Sequence, residues 1–272
     1  QQGVHVMEQT KVDDVRFHET FDISISSRLH TDKKINSRVC ISAHGKRSNI
    51  DVRLKRSFLS DGSHGLHNYV GVKYHLQSSW PANTIGLHNF KNGYCGISKI
   101  EDDKTSFCYM TTAQNLKQCN NNIPLLEEKV LSQNPHLKKI FAESIVDKQF
   151  PSTISQISFS KKTQVENGML MIGDAAGMIT PLCGNGMSMA LHSAKLATEI
   201  VTLFLAGKIN RSQMENNYAA NWKQQFASRL KTGRTLQRFF GSPFLSNAFV
   251  GLFKTFPFLA KPVIRQTHGV NF

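Results

Sequence analysis

The stretch from Gly168 to Met187 constrains the fold of this 272-residue chain more than any other part of it. It starts with a short apolar run, Met169 to Ile172, which is typical of a buried strand, and this run ends in Gly173-Asp174. A loop of small residues follows, and Gly184-Asn185-Gly186 then leads into an apolar-periodic run that predicts a helix from Met187 to Leu205. A carboxylate beside a helix N-terminus can hold a polar ligand, because the first helical amides and the positive dipole end favour negative charge.

This stretch resembles the second flavin-contacting motif of the FAD-dependent oxidoreductases related to para-hydroxybenzoate hydroxylase and geranylgeranyl reductase. The family's Gly-Asp-Ala-Ala-Gly run, its proline and its Gly-x-Gly are matched by Gly173 to Gly177, Pro181 and Gly184 to Gly186. In the family the aspartate holds a ribityl hydroxyl of FAD, and the helix start faces the pyrimidine edge of the flavin ring. The resemblance implies that eight residues contact FAD: Gly173, Asp174, Ala175, Pro181, Gly184, Asn185, Gly186 and Met187. The alternative is a tight strand-to-helix connection whose glycines serve only packing.

A second, weaker match covers Val39 to Ser48, which resembles the family's "ADG..S" turn at the end of another strand. Gly45 and Ser48 keep their places in this pattern, but His44 stands where an aspartate is usual. The turn is therefore expected to keep its role in the fold. For His44, a contact with the cofactor and a solvated turn histidine both remain open.

Relatives of this family carry a Gly-x-Gly-x-x-Gly fingerprint near their N-terminus, and the present sequence has none that follows a strand. We expect that at least one βαβ unit, roughly 30 residues or more, lies outside this sequence. The expected fold is α/β (α+β): a Rossmann-like FAD-binding domain lacking its first βαβ unit, an antiparallel-sheet substrate domain and a C-terminal helical region. The expected boundaries are 1–60 and 161–207 for the FAD-binding domain, 61–160 for the substrate domain and 208–272 for the helical region.

Period-two alternation of apolar residues predicts strands in the first 160 residues. The predicted strands are Val4–Val6, Phe21–Ile25, Arg38–Ile41, Tyr69–Tyr74, Thr84–Phe90, Tyr94–Ile100, Thr105–Met110 and Ile154–Phe159. Hairpin turns are predicted at Lys91-Asn92-Gly93 and at Glu101 to Lys104. Five apolar or aromatic side chains on this sheet are candidates for lining a substrate pocket, although each also suits a buried sheet face: Tyr74, Leu87, Phe90, Tyr94 and Tyr109.

The C-terminal part combines helical periodicity, positive charge and phenylalanines. A long helix is predicted from Gln213 to Phe240, and residues 207–272 contain ten Lys and Arg side chains but one carboxylate, Glu215. Such a mixture suits peripheral contact with an anionic membrane surface, or a helical cap with a basic outer face. Nucleic acid is disfavoured because no recognition motif is present.

The cysteines and histidines set further expectations. The five cysteines are scattered, with no Cys-x-x-Cys, which predicts a reducing, cytoplasmic setting, with membrane association through the basic C-terminal region as an addition. No metal site is expected, because the histidines are not grouped at ligand spacing. Cys183 is the one reactive-looking residue near the motif, and a packing role is favoured for it.

The leading interpretation is an FAD-dependent oxidoreductase that acts on a hydrophobic small molecule. The resemblance implies that NAD(P)H or another donor reduces the flavin. It implies either reduction of a carbon–carbon double bond, as in geranylgeranyl reductase, or oxygen activation, as in an aromatic or polyene monooxygenase. The catalytic residues are not assigned. The alternative is a non-catalytic fragment or a basic interaction protein that binds an anionic membrane surface.

Overall fold

The computed structural model describes residues 3–29, 34–60, 68–146, 151–239 and 243–268. Within them the chain forms two antiparallel sheets, one small mixed sheet and a helical C-terminal part. The strands are β1 Thr10–Phe17, β2 Phe21–Ser27, β3 Lys34–Ser37, β4 Ile41–Ser42, β5 Tyr69–Gln77, β6 Ile85–Phe90, β7 Gly93–Lys99, β8 Thr105–Thr112, β9 Ile145–Val146, β10 Ser152–Ile157, β11 Val165–Glu166 and β12 Met169–Met171. The helices are α1 Asn49–Arg53, α2 Ala113–Gln118, α3 Ile123–Lys129, α4 Pro135–Glu143, α5 Gly186–Leu205, α6 Arg211–Phe239, α7 Pro243–Thr255 and α8 Ala260–His268.

The largest sheet has the strand order β10-β5-β8-β7-β6, and the short strand β9 also pairs with β5. All its pairings are antiparallel, as the alternating sequence predicts. Asn92 closes the β6–β7 turn, and Asp102 and Asp103 close the β7–β8 turn, all three with positive φ angles that such residues tolerate better than most. Helices α2, α3 and α4 cover one face of this sheet, where Leu126 and Leu137 are completely buried.

The first sheet, β1-β2-β3, differs from the sequence prediction at its first strand. Residues Val4 to Val6, predicted as a strand, form no strand, and the two valines are largely exposed. The strand begins instead at Thr10, and its register against β2 shifts between Val12 and Asp14. This bulge places the apolar residues Val12 and Val15 three positions apart, so the period-two signal is lost.

Strands β4 and β12 are parallel neighbours in the small sheet, and β11 flanks β12 on the other side. Met169, Leu170 and Met171 are at most 1% exposed, because helices α5 and α6 pack over β12. The hydroxyl of Tyr218 on α6 donates a hydrogen bond to the carbonyl oxygen of Met171 at 2.5 Å. The end of the strand is therefore held from the helix side.

The C-terminal helices complete the fold. Helix α6 was predicted from Gln213 to Phe240 and runs from Arg211 to Phe239, while Phe240 lies outside the described residues. Helix α8 packs against α6, and α7 adjoins both α6 and strand β6. None of the helices in the described ranges is long and apolar enough to cross a bilayer.

Candidate functional site

The Gly-Asp motif forms a tight turn at the end of β12. A single 3-10 turn spans Gly173–Ala175, and Gly173 has a φ angle of +57°, which disfavours a side chain. A Cβ atom at this position would lie 3.3 Å from the Cβ of Ala190, so α5 also approaches closely there. The Gly173 amide donates to Ser193 Oγ at 2.8 Å, which ties the turn to α5.

Helix α5 begins with amides that meet no acceptor. Its N-cap residue, Asn185, makes no side-chain capping bond, and the first backbone bond that enters the helix runs from the amide of Met189 to the carbonyl of Asn185. Within the described residues, the amides of Gly186, Met187 and Ser188 therefore have no hydrogen-bond partner. Unpaired amides at the start of a 20-residue helix can bind an electron-rich group.

The two sequence matches meet in one cavity of about 350 Å³, which we call the motif cavity. Ala43 and Gly45 of the first turn line it, together with Gly173 and Asp174 of the second turn and Gly186, Met187 and Ala190 of α5. The Asp174 carboxylate accepts no hydrogen bond within the described residues. Burial raises the pKa of this carboxyl, and the positive charge of Lys162 opposes the shift. An accessible acceptor and unpaired amides thus border one cavity.

His44 does not line this cavity, and its nitrogens are not solvated. Its Nε2 lies 2.9 Å from Asp51 Oδ2, and its Nδ1 lies 2.7 Å from Ser42 Oγ. Asp51 is completely buried and also pairs with Arg56 Nη1 at 2.8 Å. Ser48, the last residue of the matched turn, caps α1 and donates its amide to Asp51. The histidine therefore supports the turn through Asp51, and this contact replaces the interpretation of His44 as a solvated turn histidine. A contact of His44 with the cofactor is not tested and stays an expectation.

Two buried cations hold the carbonyl groups of the Gly-Asp turn. Arg56 donates to the carbonyl of Ala175 at 3.0 Å, and Lys162 donates to the carbonyl of Asp174 at 2.8 Å. Both side chains also lie over the ring of Phe58. Burial lowers the pKa of Lys162 to about 8, although the nearby Asp51 and Asp174 charges favour its protonated form. The turn that carries Asp174 is thereby fixed on its reverse side.

The eight predicted FAD contacts do not all lie in one place. Gly173, Asp174, Gly186 and Met187 line the cavity, and Asn185 lies at the start of α5. Ala175 is completely buried, Gly184 takes a left-handed conformation just before the helix, and Pro181 lines a different cavity. Whether each of the eight contacts FAD stays a prediction.

A second, apolar cavity of about 320 Å³ lies on the large sheet. Its lining includes Val72, Tyr94, Tyr109, Met110, Ile154 and Pro181. Pro181 opens the segment that leads into α5, so this cavity and the motif cavity are joined by a few residues of chain. Of the five sequence-based pocket candidates, Tyr94 and Tyr109 line the apolar cavity. The other three do not: Tyr74 donates a hydrogen bond to Glu127, Leu87 is half exposed, and Phe90 lines a separate cavity.

Arg56, Lys162 and Ser193 are the residues of this site that the sequence did not indicate. Arg56 and Lys162 lie in stretches without a matching motif, and Ser193 lies inside a helix. Each acts by donating to, or accepting from, one backbone group of the Gly-Asp turn. A single polar residue that pairs with backbone leaves no spacing pattern in a sequence.

Several known sequences are similar to parts of this chain. The family model for squalene epoxidase matches residues 97–230. Digeranylgeranylglycerophospholipid reductase of Methanococcus vannielii is 32% identical over 65 residues, which are 24% of this chain and 16% of that protein. Conditioned medium factor receptor 1 of Dictyostelium discoideum is 20% identical over 243 residues, which are 87% of this chain and 47% of that protein. This chain therefore spans less than half the length of these curated relatives.

Solved structures show the same fold. Klebsiella pneumoniae HpxO, solved with FAD and uric acid, matches with a TM-score of 0.71 and 14% identity, over 95% of this chain and 66% of that one. A flavoprotein/dehydrogenase from Cytophaga hutchinsonii, flavin-dependent halogenases, a monooxygenase from Pseudomonas aeruginosa and a geranylgeranyl bacteriochlorophyll reductase-like protein match as well. The mixed α/β architecture with antiparallel sheets and C-terminal helices is that of the FAD-binding flavoproteins. The chain is similar, in fold and in parts of its sequence, to FAD-dependent oxidoreductases that include reductases, monooxygenases and halogenases.

Proposed function

We propose that this chain forms the flavin-contacting part of an FAD-dependent oxidoreductase that acts on a hydrophobic small molecule. The observation that carries the proposal is the cavity in which both matched turns meet the unpaired start of α5. Its donor and acceptor groups fit a flavin: Asp174 offers an acceptor for the hydroxyls of the ribityl chain, and the helix start offers donors for a ring edge that carries partial negative charge. Bound FAD would supply hydride transfer or oxygen activation, with NAD(P)H as the proposed electron donor.

The residues of this chain have three roles in the proposal. Asp174 binds and orients the cofactor through its carboxylate. Arg56 and Lys162 keep the turn in place through the carbonyls of Ala175 and Asp174, so the carboxylate is positioned before the ligand arrives. The apolar cavity that includes Tyr94 and Pro181 binds the substrate and keeps water from it.

A hydrophobic substrate is supported by the chemistry of that second cavity. Val72, Met110 and Ile154 contribute aliphatic or thioether surface, and the hydroxyl-bearing Tyr109 points its oxygen toward Glu127, to which it donates at 2.8 Å. Burial raises the pKa of Tyr109 and of Tyr94 well above the ordinary tyrosine value, so both remain neutral at physiological pH. Lys73 is the one charged residue among those that line this cavity, and the rest of the lining is neutral and mostly apolar, which favours a lipid quinone or an isoprenoid over a charged metabolite.

Anaerobic reduction tests the proposed activity. The purified protein, loaded with FAD, is expected to lose its flavin absorbance on addition of NADH or NADPH without oxygen. A lipid quinone or an isoprenoid is then expected to restore the absorbance anaerobically if the protein is a reductase. If the flavin absorbance returns only after oxygen is admitted, and peroxide forms when the substrate is left out, the protein is identified as a monooxygenase. A protein that retains no FAD would contradict the proposal and favour the non-catalytic alternative.

We also propose that the C-terminal region contacts an anionic membrane surface. Phe244 and Phe258 are 80% and 65% exposed, and Val250 and Ile264 are more than half exposed, so α7, α8 and the turn between them present apolar side chains to solvent. Lys254, Lys261 and Arg265 lie on the same elements. Exposed apolar groups next to cations suit the boundary between the head groups and the acyl chains.

Vesicle binding tests this contact. The protein is expected to sediment with phosphatidylcholine vesicles that contain phosphatidylserine, and less with phosphatidylcholine alone, because the cations need anionic head groups. Phe258→Asp should weaken the binding, since it places a charge where an apolar ring would enter the interface. Val6→Asp is the matched control, because Val6 is 76% exposed and lies far along the chain from the C-terminal helices. Equal binding by both variants, or no preference for anionic vesicles, would refute the contact.

A further inference from the structure

A third cavity, of about 540 Å³, lies on the reverse side of the Gly-Asp turn, between residues 160–164 and helix α6. Ala176 and Gly177 separate it from the motif cavity, because they line this third cavity whereas Gly173 and Asp174 line the other. Its volume lies within the range of sites for small organic ligands. We call it the basic cavity.

Six cationic side chains and no carboxylate line the basic cavity. They are Lys161, Lys162, Lys223, Lys231, Arg234 and Arg238. The four cations from α6 recur at intervals of eight, three and four residues, which places them along one face of the helix. The remaining two come from the opposite wall, so the charges converge on the cavity from both sides.

Within the described residues, no carboxylate pairs with these charges. Apart from Lys162, none of the six forms an ion pair or a hydrogen bond through its side chain within the described part of the chain. Burial lowers the pKa of the Arg234 guanidinium, and the like charge of Arg238 lowers it further. Like charges held together without a counterion raise the energy of the folded state, and a bound anion would remove that cost.

The floor of the basic cavity is apolar. Trp222 and Leu230 are nearly buried and line it, and the ring of Trp222 lies against Gly177 so closely that a Cβ there would be 2.7 Å from Cη2. A cationic rim above an aromatic and aliphatic floor is complementary to a molecule with a phosphate group and an organic body. A solvated basic helix face would lack both the opposite wall and the floor.

We propose that the basic cavity binds a phosphate ester or a diphosphate, through the guanidinium groups of Arg234 and Arg238 and the neighbouring ammonium groups. Guanidinium groups suit this ligand because their planar N–H donors pair with two phosphate oxygens at once. A ligand bound there would contact the reverse side of the turn that carries Asp174. The proposed site is distinct from the motif cavity, because the two have no lining residue in common, and Lys162 connects them through its bond to the carbonyl of Asp174.

Calorimetric titration with inorganic pyrophosphate tests the site in the purified protein. Saturable binding is expected, and the double variant Arg234→Gln/Arg238→Gln should weaken it by at least about tenfold, since two charge-assisted contacts are removed. The control is Lys117→Gln/Lys138→Gln, which removes the same net charge from two exposed residues that do not line the cavity and should leave the affinity within about twofold. If the arginine variant unfolds, Lys223→Gln/Lys231→Gln serves in its place, because both lysines are exposed.

Vesicles distinguish a soluble phosphate from a lipid head group. Phosphatidylcholine vesicles with and without phosphatidic acid are added in competition with pyrophosphate. If vesicles with phosphatidic acid compete with pyrophosphate, and the arginine variant abolishes this competition, the ligand is a lipid phosphate. If pyrophosphate binds and the vesicles do not compete, the ligand is a soluble phosphate. Either result supports the site. Absence of saturable binding, or equal weakening by the arginine variant and its control, would overturn it. The flavin absorbance is recorded in parallel, so loss of the cofactor is seen separately.

Discussion

Replacing Asp174 by alanine is expected to weaken FAD binding by about 10- to 100-fold, because a charged acceptor that bonds the cofactor's hydroxyls is lost. No described residue donates to this carboxylate, which lies at the cavity, so the fold itself has little need of it. The thermal unfolding temperature of the cofactor-free protein should therefore not fall. Loss of affinity together with unchanged stability distinguishes a ligand contact from a structural one. The measurement is FAD titration followed by flavin fluorescence.

A control variant and a pH titration test the role of Asp174 further. Glu199→Gln removes a carboxylate from the exposed side of α5, and it should leave the FAD affinity unchanged. Because burial raises the pKa of Asp174, its carboxyl takes up a proton at a higher pH than an ordinary aspartate does. The affinity of the unaltered protein should therefore decrease on mild acidification, and that decrease should be absent from the alanine variant. An alanine variant with normal FAD occupancy would remove Asp174 from the site.

The large sheet could be predicted from the sequence because local signals agreed with each other there. Strands β5 to β8 alternate in hydrophobicity, and the residues between them tolerate the positive φ angles that tight turns require. Strand β1 could not be predicted, because its bulge shifts the apolar residues out of period. The predicted strand at Val4 to Val6 had a suitable composition, but a strand needs a partner, and no neighbouring strand pairs with it.

The candidate site was predictable where it is continuous in sequence. The turn at Gly173 and the start of α5 lie within a few residues of each other, so their spacing can be read directly. Their meeting with Ala43 and Gly45 in one cavity depends on the parallel pairing of β4 with β12, which joins segments more than a hundred residues apart. The bond from Arg56 to the carbonyl of Ala175 behind the turn spans 119 positions and involves a single side chain. Only the fold brings these groups together.

The largest effect on stability is expected from Asp51→Asn, which should lower the free energy of unfolding by about 3 kcal/mol, because the buried Arg56 then keeps only the half-buried Glu166 as a charged partner. Asp51 and Arg56 are 0% and 2% exposed, so water cannot replace the lost carboxylate. The same change should also weaken FAD binding, since Arg56 positions the carbonyl of Ala175 in the motif turn. Urea denaturation of the cofactor-free protein measures the first effect, and FAD titration measures the second.

Acid unfolding gives an independent measure of the same ion pairs. Burial alone would raise the pKa of Asp51, but the contacts with His44 and Arg56 outweigh it and hold the pKa at about 2, below the ordinary value of 3.8. A carboxyl whose pKa is lower in the folded state stabilises the protein fully above the unfolded-state pKa, and this contribution is lost as the pH falls toward the folded-state value. The unaltered protein should lose stability between about pH 4 and pH 2 more steeply than Asp51→Asn does. Glu143→Gln, in an exposed pair with Lys139, should change the stability by less than about 1 kcal/mol. An asparagine variant as stable as this control would show that the buried pair contributes nothing beyond an exposed one.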